Sequence, residues 1–399
     1  MKILQVSHKY PFPPKDGGAI ATLHMANGFA RAGHEVSILA MRTPKHGGKI
    51  VKNGDRSSYH EVITTYVDTT IKPIKLLRNL LFSGLPYNAE RFIEPGFREK
   101  LAGILTRRNY DIVQLEGLYL MPYAETIRKC SQAKIVLRAH NIEHEVWKRI
   151  AMQAKNRARR WYYKMLAERM AIFEYSYINV YDMLVPISKR DLHSFNRHGN
   201  TKPSLVVPMG MDVTENLQAE GVAGNHKLFY IGSLDYIPNQ EGLIWFIEHV
   251  WTKFLQPSHQ YTFYVAGRNA PASLKKYLGK QPLNFLGEID DAGQFMRSGG
   301  VMVVPVLSGG GIRVRIIEAM AMGIPVVSTS LGAEGLDITD GLDIMIADDP
   351  EIFSDAIVKL LENQTFFANI GKNARTLIEE KMSQNKLTAE LLAFYRDNL

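Results

Sequence analysis

Short apolar runs of strand length alternate with stretches of helical spacing almost from one end of the chain to the other, and that order leaves few folds open. Met1 to Ser7 and Glu35 to Ala40 read as strands around a helix from Ala19 to Ala32, which Gly33 closes. Ile112 to Leu115, Ile135 to Leu137 and Leu184 to Ile187 continue the series. A second series starts at Lys227 to Ile231 and runs through Tyr261 to Ala266, Val301 to Val306 and Pro325 to Ser328. Such alternation makes a parallel sheet with helices on both faces. Between the two series, residues 206–226 break the pattern with Pro208, Gly210, Gly221 and Gly224, a linker composition. The 399 residues exceed one ordinary core, and a hydrophobic content of 46% can fill two. The expectation is an α/β chain of two doubly wound, Rossmann-like domains, residues 1–206 and 207–382, facing a central cleft. A last helix, about 383–399, could pack on either. Ligands of open parallel sheets bind at the carboxyl ends of strands, so the chemistry is sought in the loops there.

The richest of these loops lies in Ser308-Gly309-Gly310-Gly311-Ile312-Arg313-Val314-Arg315-Ile316-Ile317-Glu318. The apolar run Val301 to Leu307 reads as a buried strand, Gly309, Gly310 and Gly311 as a loop, and Ile312 to Met322 as a helix ended by Gly323-Ile324-Pro325. Free N–H groups and the positive end of the helix dipole meet where the glycines end, and Arg313 and Arg315 add two charges. Glu318 lies one to two turns further in, where a carboxylate could accept from a pair of ribose hydroxyls. The pattern points to a nucleoside diphosphate; the alternative is a tight connection with a solvated polar face.

A second glycine pair, Gly17-Gly18, follows the first strand and opens a helix, again with N–H donors for a phosphate. His140 follows the strand Ile135 to Leu137, and Ser188 with Asp191 has the spacing of a helix cap. Gly232 and Ser233, Gly267 and Arg268, and Leu286 and Gly287 end three further strands. A dinucleotide fold needs Gly-x-Gly-x-x-Gly after a strand and a phosphate-loop NTPase needs Gly-x-x-x-x-Gly-Lys-Ser/Thr; neither spacing occurs at these loops. His140 and His144 lack the His-Glu-x-x-His order, and no Asp-x-Asp ends a strand, so no catalytic metal is expected.

The segment from Ser308 to Val327 resembles the donor-binding motif of the GT-B glycosyltransferases, specifically family 4 in a bacterial sugar-transferase branch. The resemblance runs over nearly the whole chain and is strongest from Leu228 to Val327. It implies a retaining enzyme that moves a hexose from a UDP- or GDP-linked sugar to a saccharide or lipid-linked glycan, in polysaccharide or glycoconjugate assembly. The nucleotide sugar is a co-substrate, and no further cofactor is implied. The resemblance places Gly17 and Gly18 near the donor phosphates, His140 on the acceptor side against the donor sugar, and Leu286 and Gly287 under the base. It places Glu318 on the ribose, and the carboxyl-terminal helix back on the first domain. Two departures stand out. Many relatives carry an arginine just after the position of Gly232 and a lysine some five residues later; here Ser233 and Pro238 or Asn239 stand there, and Arg313 and Arg315 are the replacements. The first glutamate of a Glu-x7-Glu pattern is Gly310, which leaves the amides of Gly310 and Gly311 as the sugar contacts. A sugar-nucleotide epimerase of the same architecture, or a non-catalytic membrane-peripheral protein binding nucleotide sugar or lipid, are the alternatives.

The net charge of +8 is concentrated. Between Trp147 and Met170 there are eight basic residues and one acidic residue, Glu168, within what reads as one helix with Trp147, Ala151, Trp161 and Leu166 on its apolar face. Such a segment either docks with a solvated basic face or meets an anionic membrane; Ile71 to Phe92 is a second apolar-basic stretch of the same kind. No nucleic-acid module accompanies the charge. The amino terminus has no secretory pattern, and the single cysteine, Cys130, reads as a buried structural residue; both fit a cytoplasmic protein, at most at the inner membrane face.

Overall fold

The computed structural model describes the chain except for residues 15–16, 45–57, 155, 212–225 and 311. It forms two compact units, Met1–Gly210 with Gln384–Leu399, and Met211–Ser383.

The first unit is built on six parallel strands, β1 (Lys2–Ser7), β2 (Glu35–Arg42), β3 (Glu61–Tyr66), β4 (Ile112–Glu116), β5 (Lys134–Ala139) and β6 (Met183–Pro186), in the order β3-β2-β1-β4-β5-β6. Alternation along the strands loads both faces. Leu4, Val6, Val113, Leu115, Ile135 and Leu137 join a core with Phe97, Leu101 and Tyr123, whereas Ile3, Ile112 and Val136 join one with Phe29, Leu391 and Tyr395. A sheet buried on both sides favours apolar residues at successive positions, so its central strands read as mainly apolar runs, interrupted by the buried Gln5, Gln114, Glu116 and Arg138. The helix Gln384–Asp397 packs on the helix Gly17–Arg31, and Tyr395 donates its hydroxyl to Gln114 Oε1 at 2.5 Å. Cys130 is half-buried beside the first core rather than sealed in it.

One strand goes beyond the expected series, and one expected helix is corrected. β3 escapes a hydrophobic scan because it is an edge strand whose one buried residue is Ile63. The basic segment is not one helix but two, Glu143–Gln153 and Arg157–Ser176, packed on each other with Trp147 against Tyr163 at 6.0 Å. Asn156 starts the second by accepting from Arg159 N at 3.0 Å. Trp161 and Leu166 both belong to the second helix, about 140° apart around its axis, and Leu166 is buried while Trp161 is 61% exposed.

The second unit repeats the topology with β7 (Lys227–Ser233), β8 (Thr262–Arg268), β9 (Asn284–Gly287), β10 (Val301–Val304), β11 (Val326–Ser328) and β12 (Met345–Ile346), all parallel, in the order β12-β11-β10-β7-β8-β9. Its core joins Leu228, Phe246, Phe263, Val303 and Phe353. β10 is shorter than the apolar run that encodes it, since Pro305 has no N–H for the ladder. In each unit the first strand continues to one side and the fourth starts the other, so the loops after them part at a topological switch point.

Candidate active site

In the second unit the switch point lies between β7 and β10, and most of the sequence-selected residues gather around it. Gly232 and Ser233 end β7 in register with Gly267 and Arg268 of β8. The Arg268 Nε donates to Ser233 Oγ at 3.3 Å, and Ser233 Oγ donates to Asp235 Oδ1 at 2.7 Å. A guanidinium from β8 therefore stands beside the position where the β7 loop itself carries no cation. Leu286 and Gly287 end β9, where Gly287 pairs with Ala266, and Leu286 is exposed.

The loop after β10 is braced by Tyr236 after β7 and by the helix Ile237–Phe246 that follows it. Ser308, buried, donates to Glu241 Oε2 at 3.1 Å. Gly309 has φ +90°, and a Cβ there would come within 2.7 Å of the Tyr236 hydroxyl and 3.2 Å of Pro238. Only glycine fits that conformation and that approach. Gly310 follows, its carbonyl accepting from Arg313 Nη1 at 2.8 Å; Gly311 lies outside the described residues. The helix begins at Val314 rather than Ile312, because Arg313 keeps an extended cap conformation (φ −81°, ψ 93°). Arg313 thus sits at the helix start, where the first N–H groups lack intrahelical acceptors. Burial pushes the Tyr230 hydroxyl well above its ordinary pKa, and the nearby Arg313 charge works against that rise. Two residues on, Arg315 Nη1 donates to Glu318 Oε2 at 2.5 Å, so these two side chains form an ion pair on one face of the helix.

In the first unit the switch point lies between β1 and β4. Gly17 and Gly18 open the helix after β1, and Gly18 O accepts from Thr22 Oγ1 at 2.8 Å. His140 follows β5, and its Nε2 lies 2.8 Å from Glu116 Oε2 at the end of β4. Glu116 is a buried carboxylate that accepts from Gln5 Nε2 at 2.6 Å and from the Gln114 amide. His8, on the loop after β1, has its Nδ1 2.9 Å from the Glu116 carbonyl. Burial alone would raise the Glu116 carboxyl; the hydrogen bond and charge of His140, the Arg138 charge and the Gln5 amide outweigh it and hold the pKa below the usual range. Arg138 is itself buried and donates to the carbonyls of Val207, Val185 and Pro208.

Glu116, Gln5 and Gln114 were not singled out from sequence. The available signal was polar residues inside otherwise apolar strands, in matching register on β1 and β4, where Gln5 faces Gln114 and Ser7 faces Glu116. Ser188 caps its helix by accepting from Asp191 N at 3.1 Å. His144 is held by the buried Glu174, at 2.6 Å. Among the described residues, no group of three or more His, Cys, Asp or Glu is placed to hold a metal ion, and no helix is long and apolar enough to cross a membrane.

The chain's relatives fit this arrangement. Residues 225–363 match the family "Glycosyl transferases group 1" and residues 15–215 match "Glycosyltransferase Family 4". The chain is 23% identical to an uncharacterized 44.6 kDa protein in the cps region of Klebsiella pneumoniae, over 98% of both chains. It is 21% identical to a phosphatidyl-myo-inositol mannosyltransferase of Mycolicibacterium smegmatis, over 97% of this chain and 91% of that one. Its fold is similar to that of the Anabaena protein HepE, solved in complex with UDP and glucose, with a TM-score of 0.69, 14% identity and all of both chains covered. The architecture is GT-B, and the chain belongs to the group 1, family 4 glycosyltransferases.

Proposed function

We propose that this enzyme transfers a hexose from a UDP- or GDP-linked sugar to a saccharide or lipid-linked glycan in bacterial polysaccharide or glycoconjugate assembly, with retention at the anomeric carbon. The carrying observation is the switch point of the second unit, where a glycine loop, a helix start, Arg313 and Arg268 converge from three elements. Backbone donors and fixed guanidinium groups stabilise a diphosphate most where its charge develops, on departure. The Arg315–Glu318 pair holds the carboxylate that would receive the ribose hydroxyls, and Leu286 and Gly287 would border the base. The reading draws support from HepE with UDP and glucose, from the cps-region relative, and from a relative named for a lipid acceptor.

In this reading the acceptor oxygen attacks the face from which the diphosphate leaves: the C1–phosphate oxygen bond breaks, the new glycosidic bond forms, and the acceptor proton passes to the departing phosphate oxygen. His140 accepts a hydrogen bond from the donor sugar through Nδ1, its ring steadied by Glu116 at Nε2. The enzyme needs no metal or other cofactor and works at the inner face of the cytoplasmic membrane, with the basic stretch 147–170 drawn to anionic lipid.

Calorimetric titration of UDP and GDP into the wild-type protein and Glu318→Ala tests the donor site. Binding of one nucleotide, weakened in the variant, is the expected result. Binding of neither, or equal binding to both proteins, would overturn the assignment.

A further inference from the structure

The helix Pro73–Phe82 of the first unit is docked the opposite way from an ordinary surface helix. Its one buried residue is Asn79, whereas Ile74 is 85% and Phe82 83% exposed, with Leu77 and Leu81 exposed between them. Ile71 before the helix and Leu85 after it are exposed as well. Ile74, Leu77 and Leu81 share one side by their three- and four-residue spacing, so the apolar side chains make a ridge.

Directional hydrogen bonds fix the helix from behind. Asn79 Nδ2 donates to Leu85 O at 3.0 Å and to the Glu90 carboxylate. Arg169, from the helix Arg157–Ser176, donates to Leu80 O at 2.9 Å and to Asn79 O at 3.2 Å. Lys72 N donates to the Tyr87 hydroxyl at 3.1 Å. The Asn79 contacts would be lost if the helix rolled to bury its leucines, so the outward ridge is a built feature. An exposed ridge of this kind marks a docking surface.

Charge selects the occupant. Lys75 and Arg78 are exposed among the apolar residues, Lys72 is paired with Asp68 at 2.7 Å just before the helix, and no Asp or Glu occurs from Thr69 to Ala89. A second copy would bring the same cations face to face. An anionic lipid surface takes both components, aliphatic groups below the head groups and long cationic side chains reaching up to the phosphates.

We propose that the ridge from Ile71 to Leu85 is the element that enters an anionic membrane, with Lys75 and Arg78 at the level of the lipid phosphates. This deepens the membrane contact of the proposed function and rests on it, while being independent of the transfer chemistry. It names a different element from the stretch 147–170: the ridge supplies apolar insertion and the basic stretch long-range attraction.

The test is co-sedimentation of the full chain with vesicles of phosphatidylcholine alone and of phosphatidylcholine with about one-quarter phosphatidylglycerol. Two variants are compared with wild type: Ile74→Ser with Leu81→Ser and Phe82→Ser, and Arg157→Glu with Arg159→Glu and Arg160→Glu. The expected result is binding to anionic vesicles that the serine variant weakens by about tenfold or more, with thermal unfolding and nucleotide titration unchanged. Wild-type vesicle binding by the serine variant would overturn the ridge, and if the glutamate variant then lost binding, the membrane contact itself would stand. Absence of vesicle binding by the wild-type protein would overturn both. Dimerisation of the wild type in the absence of lipid, abolished by the serine substitutions, would reassign the ridge to a second copy. None of these outcomes touches the donor site, which the nucleotide titration tests separately.

Discussion

His140 Nε2 and Glu116 Oε2 lie 2.8 Å apart across the ends of two adjacent strands, and the carboxylate is buried while the ring is partly open. A buried carboxylate on one ring nitrogen fixes both the tautomer and the orientation, leaving Nδ1 as the acceptor. Glu116→Gln removes the charge but keeps the shape. Turnover is expected to fall on the order of ten- to a hundredfold, as for other residues that orient a site histidine, with nucleotide affinity within about twofold of wild type. Steady-state kinetics and calorimetry on the same preparation check this; unaltered turnover would show that the pair only stabilises the fold.

The same carboxylate gives a signed pH dependence. Its folded pKa is lowered, so the unfolded chain takes up a proton first as pH falls. The stability it contributes is present above the ordinary glutamate range and is lost as pH drops through the folded value. Urea midpoints measured between about pH 6 and pH 3 should fall less steeply for Glu116→Gln than for wild type. Glu143 has the opposite sign: burial raises its carboxyl, so its contribution is present below the ordinary range and is lost as pH rises through its folded pKa.

The parts of the fold legible in sequence were those with one cause. β1, β4 and β5 are buried on both faces and keep short apolar runs between their polar residues, so those runs are visible. β3 has no such run, because an edge strand buries little, and β12 is only two residues long. The division of the basic segment depended on Asn156 capping a new helix, which a period scan does not weigh against continuous apolar spacing. For the candidate site, glycine loops at strand ends marked the second unit's residues. Glu116 was hidden because its meaning lies in the register of β1, β4 and β5, a long-range property.

Close backbone packing is another such property. Gly242, within the helix Ile237–Phe246, would carry a Cβ 1.8 Å from the Pro305 carbonyl at the end of β10. Alanine gains about 1 kcal/mol over glycine in a helix, whereas overpacking against backbone costs about 3 kcal/mol, so the clash wins. Gly242→Ala should destabilise the second unit by about 2 kcal/mol, read as a lower thermal midpoint. An unchanged or raised midpoint would mean that the helix can move off the strand at little cost.

Removing both charges of the glycine-loop helix tests the leaving-group role. Arg313→Ala with Arg315→Ala is expected to abolish transfer while the fold survives, since both side chains are partly exposed and lie at the loop and the first turn of the helix rather than in the apolar core. Near-normal turnover in a variant with wild-type circular dichroism would remove these arginines from the mechanism.

Arg268 separates phosphate recognition from base recognition. It reaches Ser233 from the neighbouring strand and so stands beside the loop after β7, whereas Leu286 and Gly287 lie one strand further out. A guanidinium at that place interacts with a diphosphate through charge-assisted hydrogen bonds, each stronger than a neutral one by roughly twofold. Arg268→Ala should therefore weaken the nucleotide that the wild type binds, UDP or GDP, on the order of tenfold, and leave the matching nucleoside unaffected. The comparison is internal, because nucleoside and diphosphate share the base and ribose contacts. Equal weakening of both would place Arg268 at the base or in the framework of the loop, and leave the phosphates to Arg313 and Arg315.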